Sequence, residues 1–263
     1  MAICLGCNTY SFSQPMALVN AYAHNDYWNK RPLLDALSNG FTHIEADVYL
    51  RRGRLIVSHN LPIFSPKSTL EKLYLIPLFE YLTLRQQHQQ TALDTLVLMI
   101  DIKSDGEKTY EELKKILQPY QSILSTCENG KQIQRNLTIV ITGHKPIQKI
   151  NSEKNRNVFI DENLKKVASH DYQSLYPIAS CRYSSLLKWK GKGKIPANEK
   201  LELCELVATA HANGKKVRFW ASPENERVWQ ELLSCGVDLI NTNKIAALKQ
   251  FFTSFLTDTS ANF

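Results

Sequence analysis

Two histidines and three carboxylates stand where apolar runs give way to polar residues, and together they could run metal-assisted acid–base chemistry. His24 follows the run 17–23, Glu45 and Asp47 lie two apart in the run 42–49, and Asp101 falls near the end of the run 95–102. Residues two apart on a strand share a face, so Glu45 and Asp47 point one way while Ile44, Ala46 and Val48 point the other. Two such charges about 4 Å apart repel by about 4 kcal/mol at an effective dielectric near 20, which protonation of one or a bound cation relieves. Three hard oxygen donors suit Mg²⁺ or Ca²⁺, whereas zinc prefers His and Cys. An imidazole, whose ordinary pKa is near 6.5, is the side chain type best suited to give or take a proton at neutral pH, and His24 and His59 supply two. A lone E-x-D is most simply a surface pair bound to Lys or Arg. Three acids and two histidines arriving together at strand ends are not explained that way.

The elements that would position these residues follow from hydrophobic patterning. Short β-branched runs at 17–23, 42–49, 95–102, 137–142, 158–161, 175–180, 216–220 and 237–241 alternate with helix-like stretches at 31–39, 109–117, 197–213 and 225–235. Eight strand–helix repeats predict an α/β fold, the (β/α)₈ TIM barrel, whose sites are built at the C-terminal strand ends. Gly40 and Gly214 follow two of the helical stretches, where a helix C-terminus commonly needs a left-handed residue. Arg51-Arg52-Gly53 then predicts a turn, with residues 55–59 returning as a β-hairpin inserted after the second strand. A turn centred on Arg52 and Gly53 puts His59 across from Ala46, beside Glu45 and Asp47, whereas a slip of one residue would turn it to the opposite face.

Bulk properties bound the rest. With 263 residues, 43% apolar, and no linker or repeat, one barrel domain over residues 17–255 is expected behind an N-terminal tail of residues 1–16. A formal charge of +7, from 32 basic and 25 acidic residues, favours anionic partners. No basic run is interleaved with aromatics, so nucleic acid is not expected as a partner. Lys188, Lys190, Lys192 and Lys194 alternate around Trp189 after the sixth strand, and are expected to contact an anionic membrane from the barrel rim. Cys127, Cys181, Cys204 and Cys235 read as small buried hydrophobes, and the Cys4–Cys7 pair has no partner pair at zinc spacing. No run is long enough to span a bilayer. The apolar start from Met1 to Gly6 and the Leu5-Gly6-Cys7 triplet suggest the remnant of a secretory or lipoprotein signal, hence a secreted, periplasmic or lipid-anchored protein, with a simple N-terminal tail as the alternative.

The sequence Ala23-His24-Asn25-Asp26, then Ile44-Glu45-Ala46-Asp47-Val48, then Val57-Ser58-His59 resembles the opening of the glycerophosphodiester phosphodiesterases. Ile100-Asp101-Ile102-Lys103, Arg218-Phe219-Trp220 and the segment from Gly236 to Asn243 are similar to later strands of that family, so the resemblance spans roughly residues 20–250. It is strongest to the His-Asn-Asp-Tyr subgroup that includes the fungal "altered inheritance of mitochondria" proteins. The resemblance implies a phosphoric diester hydrolase with Glu45, Asp47 and Asp101 as ligands of Mg²⁺ or Ca²⁺, His24 and His59 as the acid–base pair, and Lys103 and Trp220 lining the substrate site. Asn25 stands where most of the family has arginine, so Asn25 and Arg31 are candidate phosphate contacts. Asp101 in place of the usual glutamate, with Lys103, is instead similar to the sphingomyelinase D group. The implied substrate is a phosphodiester of a lipid or lipid-derived alcohol, cleaved directly or through a cyclic phosphate. A phosphatidylinositol phospholipase C-like enzyme shares the barrel and the histidine pair. A barrel that binds phospholipid without turnover is the remaining alternative, and the presence of all five polar residues argues against it. His43, His88, His144, His170 and His211 lack matching partners and read as core or surface residues.

Overall fold

The eight apolar runs form the eight strands of a parallel barrel in the computed structural model, which describes residues 17–62, 68–87, 95–169 and 177–260. In chain order the strands are β1 Leu18–Ala23, β2 Phe41–Arg51, β3 Arg54–Val57, β4 Leu96–Ile102, β5 Thr126–Glu128, β6 Lys131–Ile133, β7 Leu137–Gly143, β8 Asn155–Arg156, β9 Val158–Asn163, β10 Ile178–Arg182, β11 Lys216–Trp220 and β12 Ile240–Thr242. The barrel runs β11-β10-β9-β7-β4-β2-β1-β12. A parallel bridge between Arg218 and Leu239 brings its two edges together, with the Leu239 amide donating to the Val217 carbonyl at 3.0 Å. The expected TIM barrel is therefore present, almost closed. Residues 1–16 with Cys4 and Cys7, the start of the sixth run at 175–176, His88 and His170 lie outside the described residues.

Strand alternation sorts the barrel interior into layers. Met99, Val140, Phe159, Ile178 and Leu239 pack together with Tyr22 in the interior. Cys127 joins them from β5, part of a small antiparallel sheet with β6 and β8 that the sequence pattern did not announce. One alternation step farther along the strands, polar residues take over the interior: Glu45, Asp101, Thr142, Asp161, Ser180, Arg218 and Asn241. Apolar side chains of the other parity, among them Ile44, Ala46, Ile100, Ile102 and Ile141, face the surrounding helices in the main core.

The hairpin after β2 has the expected register. Val48 pairs with Val57, Tyr49 with Ile56 and Leu50 with Leu55. Arg52 and Gly53 both have positive φ, 49° and 70°, the twist a two-residue hairpin turn requires. The ladder ends at Val57, and the Ser58 amide donates to the Asp47 carbonyl at 3.1 Å, which sets His59 down beside β2.

Two expectations change. The helix expected over 31–39 is shorter, α1 Leu34–Ser38. Pro32 disfavours helical backbone in the residue before it, and Leu33 has a φ of 63° while its amide donates to the buried Asp26 carboxylate at 2.5 Å. The second change concerns cysteine. Cys127 and Cys181 are buried thiols as read, but Cys204 and Cys235 form a disulfide between the helices Ala197–Ala212 and Glu226–Ser234. A cross-link closing a loop of 31 residues stabilises by about 3–4 kcal/mol in the chain-entropy account. Connectivity between distant single cysteines is not legible from spacing, which is why buried thiols were expected.

Candidate active site

The carboxylates converge. Glu45 and Asp47 project from β2 toward Asp101 on β4, whose backbone pairs with that of Asp47. One oxygen from each lies within 4.8 Å of the other two, and Glu45 and Asp47 are buried. Charges at that spacing repel pairwise by about 3–4 kcal/mol at an effective dielectric near 20.

Half of the carboxylate oxygens are already engaged. Glu45 Oε2 accepts from the Tyr22 hydroxyl at 2.7 Å and from Arg218 Nη1 at 3.2 Å. Asp47 Oδ2 faces His59 Nδ1 at 2.9 Å and Lys103 Nζ at 3.2 Å. Asp101 Oδ2 accepts from Lys103 Nζ at 2.6 Å. The other oxygens of the two aspartates, both Oδ1, are buried with no hydrogen-bond partner. Gly143 sits against one of them: a Cβ there would collide with Asp101 Oδ1.

The charges also fail to balance. With the histidines neutral, Glu45, Asp47, Asp101 and Asp161 meet two cations, Lys103 and Arg218, leaving 4 − 2 = 2 formal negative charges in the bonded cluster. Buried, unpartnered carboxylate oxygens and a deficit of two positive charges both fit a hard divalent cation.

The histidines bracket this cluster. His24 follows β1, with Nε2 3.8 Å from Glu45 Oε1. Its Nδ1 is 2.9 Å from Asn243 Oδ1, and the Asn243 amide nitrogen donates to Glu224 at 2.9 Å. The Asn25 amide nitrogen approaches the same Nδ1 at 3.0 Å, so Nδ1 lies between an amide oxygen and an amide nitrogen, and Nε2 is the ring nitrogen that faces Glu45. His59, at the foot of the hairpin, has Nδ1 2.9 Å from Asp47 Oδ2; an N–H donating there to the ionised carboxylate leaves Nε2 as the free nitrogen. The sequence put His59 beside both acids of β2; it meets Asp47, while His24 is the histidine near Glu45.

A model of the AIM6-like phosphodiesterase domain matches residues 10–161, more than half of the chain. The chain belongs to the AIM6-like phosphodiesterase family. A relative from Arthroderma benhamiae, named altered inheritance of mitochondria protein 6 homolog, is 30% identical, with 89% of this chain and 84% of that protein aligned. Another from Eremothecium gossypii, altered inheritance of mitochondria protein 6, is 28% identical over 89% of this chain and 69% of its own. In architecture the chain is similar to a glycerophosphodiester phosphodiesterase from Parabacteroides distasonis, with a TM-score of 0.55 and 13% identity, covering 92% of this chain and 99% of that one. That likeness speaks for the barrel alone.

Within this phosphodiesterase barrel the remaining sequence-predicted residues divide. Lys103 joins the cluster. Burial lowers its pKa, but the hydrogen bond to Asp101 and the charges of Asp101 and Asp47 outweigh that and raise it, so the ammonium keeps its proton. Asn25 is buried with φ 48°; its oxygen accepts from the Tyr27 hydroxyl at 2.6 Å and its amide faces Asn243 at 3.4 Å. Trp220 stands at the rim, 40% exposed, with the Arg182 guanidinium 5.5 Å from its ring centre. Arg31 is not brought to the group: its guanidinium pairs with Asp35 at 2.9 Å, mostly exposed. Of the unassigned histidines, His43 is buried and pushed down to about 3 by desolvation, then by Lys216 and Arg218. His144 lies against the Ser104 carbonyl at 2.9 Å and His211 against Asp238 at 2.8 Å.

Several residues of the site were not singled out from sequence. Arg218 is buried beneath it, 3.0 Å from Asn241 Oδ1, 3.2 Å from Ser180 Oγ and 4.4 Å from the Tyr22 ring centre. Tyr22, Tyr27, Asp161, Asn243 and Glu224 complete the frame. Strand parity held a signal for two of them: Tyr22 is two residues before His24, and Arg218 two before Trp220.

Proposed function

We propose that this phosphodiesterase acts on a phosphodiester of a lipid or lipid-derived alcohol, with histidine acid–base catalysis at a divalent cation. The observation that carries the reading is the set of three converging carboxylates, two of them with an unpartnered buried oxygen, flanked by two histidines whose Nδ1 atoms are engaged by neighbouring side chains. Glu45, Asp47 and Asp101 would hold the cation, Mg²⁺ or Ca²⁺. When bound, it supplies positive charge that polarises the phosphoryl oxygens and withdraws the electrons of the bond to be broken.

The chain's own residues do the rest. Asn243 and Asn25 hold the His24 ring in place through Nδ1, and Asp47 orients His59. One Nε2 takes the proton of the attacking hydroxyl while the other donates a proton to the departing alcohol oxygen. Lys103 places a fixed cation beside the phosphate position, and Trp220 offers a flat apolar wall for the alcohol. The screen that tests this is turnover of a panel of phosphodiesters with Mg²⁺, Ca²⁺ or Mn²⁺ added. Hydrolysis of lipid-derived diesters is expected; a panel left untouched with every cation would favour a phospholipid-binding barrel instead.

We also propose export from the cytosol and peripheral contact with anionic membrane. The Cys204–Cys235 disulfide fits an oxidising compartment, and among the described residues no helix is long and apolar enough to cross a membrane. Lys188, Lys190, Lys192 and Lys194 are exposed on the loop after β10, tied to the next rim loop by the Asn225 amide donating to the Lys190 carbonyl at 3.4 Å. Trp189 does not project with them: it is buried and its indole N–H donates to the Lys192 carbonyl at 2.9 Å, so contact would be electrostatic. At about 1 kcal/mol per lysine near an anionic surface, replacing all four with Gln should release the protein from anionic vesicles while a soluble diester is still hydrolysed. Unchanged vesicle binding would rule out this loop.

A further inference from the structure

Beside the carboxylate cluster, the rim ends of β7, β9, β10 and β11 line an open cavity of about 430 Å³. Its wall at Thr142 and Gly143 adjoins Asp101, so it opens next to the proposed reaction centre. Three cations line it: Lys145, Lys165 and Arg182. Among the described residues, none of the three has a carboxylate within ion-pair distance. Lys145 Nζ donates to the Asp161 carbonyl, Lys165 Nζ to the Ser185 carbonyl at 2.6 Å, and Arg182 lies over Trp220.

The acids that share the cavity wall are turned to other partners. Asp161 accepts from Ser180 at 2.6 Å and Thr142 at 3.3 Å and faces Arg218 at 3.6 Å; Glu162 faces Lys215 at 3.9 Å. The cavity therefore carries an excess of positive charge held by groups satisfied only by neutral acceptors. A guanidinium stacked on an aromatic ring keeps its N–H fork free, the geometry that binds phosphate or carboxylate through two bonds.

From this we infer that the alcohol released by the enzyme carries a second anionic group, a phosphomonoester or a group of like charge, seated between Lys145, Lys165 and Arg182 with Trp220 as its floor. The cavity is large enough for a small phosphorylated alcohol. The inference rests on the phosphodiesterase reading, which it narrows to diesters bearing an additional negative charge beside the scissile phosphate. The charge could come from a soluble phosphorylated alcohol or from a lipid headgroup bearing a phosphomonoester.

Two measurements on the full chain test it. In excess EDTA, methyl phosphate is titrated into the wild type and into the Lys165→Gln/Arg182→Gln double variant, whose exposed positions tolerate the change; unchanged melting temperature checks this. Binding should weaken at least about tenfold in the variant, the loss of one charge-assisted contact or more. Then, with divalent cation, kcat/KM is compared for paired diesters with and without the extra phosphomonoester, in solution and on phosphatidylcholine vesicles. The wild type should prefer the phosphorylated member by about tenfold or more, and the variant should lose most of that preference. Preference in solution and on vesicles assigns a lipid headgroup, and preference in solution alone a free ester; either supports the subsite. If no diester is turned over but methyl phosphate binding still depends on Lys165 and Arg182, the diesterase reading fails and the anion site stands. Equal kcat/KM for both members of each pair, with methyl phosphate bound equally by both proteins, overturns it.

Discussion

Excess EDTA is expected to abolish turnover, and Asp47→Asn to lower divalent affinity by at least about tenfold, the lower end of what loss of even an outer partner of a metal site costs. The expectation follows from the two Oδ1 atoms of Asp47 and Asp101, buried without a hydrogen-bond partner, and from the two uncompensated negative charges of the cluster. Asparagine at position 47 keeps an oxygen in place but removes one charge and the acceptor that orients His59. The same site gives a pH dependence whose sign can be worked out. Burial first, then the charges of Glu45 and Asp101, push the Asp47 carboxyl above the usual aspartate range. Cation binding needs the ionised form, so protons compete, and affinity should fall as pH drops, beginning at a higher pH than for an unperturbed aspartate. Titration calorimetry with Mg²⁺ and Ca²⁺ at several pH values reads both effects. Full activity in EDTA, or wild-type affinity in Asp47→Asn, would refute the metal centre.

How far the sequence reached depends on the kind of information each feature carries. All eight barrel strands were legible because a strand buried on both faces writes itself as a β-branched run, and β2, β4 and β11 came out within a few residues. The hairpin register was legible because Arg52-Gly53 leaves few two-residue turns, and the pairing of Val48 with Val57 follows from it. Helix Ile76–Gln87 was not foreseen; it is preceded by a π-helical turn, Glu71–Leu75, and Pro77 can donate no hydrogen bond to the ladder there, which blurs the period.

The site divides along the same line. Residues at strand ends were found because an acid or histidine closing an apolar run is conspicuous. Arg218 was missed because a single basic residue inside an apolar strand looks like a surface position; it is tolerated in the interior only because Glu45, Asp161, Ser180 and Asn241 surround it. Those partners come from four other strands, and no local pattern announces such a meeting. Glu224 and Asn243 are likewise joined only by the barrel's closure. Arg31 was a candidate phosphate contact in place of the arginine that Asn25 replaces, and the local pair with Asp35 holds it elsewhere.

The two histidines carry the largest kinetic expectation. A general acid or base contributes typically about 10²- to 10⁴-fold, and neither imidazole is among the proposed cation ligands. His24→Ala and His59→Ala should therefore each lose at least about 100-fold in turnover, with divalent affinity nearly unchanged in His24→Ala. The two losses should differ in origin. His59 bonds Asp47 directly, so its removal also frees Asp47 Oδ2, whereas His24 is held from behind by Asn243 and Asn25 and stands 3.8 Å from Glu45 Oε1 without a hydrogen bond to it. Asn243→Ala, which removes a contact that orients His24 but touches none of Glu45, Asp47 and Asp101, should then reproduce a fraction of the His24 defect and leave cation binding alone. The route of the reaction can be read in the same experiments. If a histidine activates water, only a phosphomonoester forms; if it activates a hydroxyl of the substrate next to the phosphate, a cyclic phosphate appears first. His24 and His59 flank the carboxylate cluster, one beside Glu45 and the other beside Asp47, an arrangement suited to deprotonating a neighbouring hydroxyl on one side and protonating the leaving oxygen on the other. A cyclic product is therefore expected by phosphorus NMR at early times with a substrate that has the hydroxyl, and none with one that lacks it. Equal turnover of both substrates, with only monoester seen, would establish direct attack by water and leave the histidines as acid and base for that reaction instead.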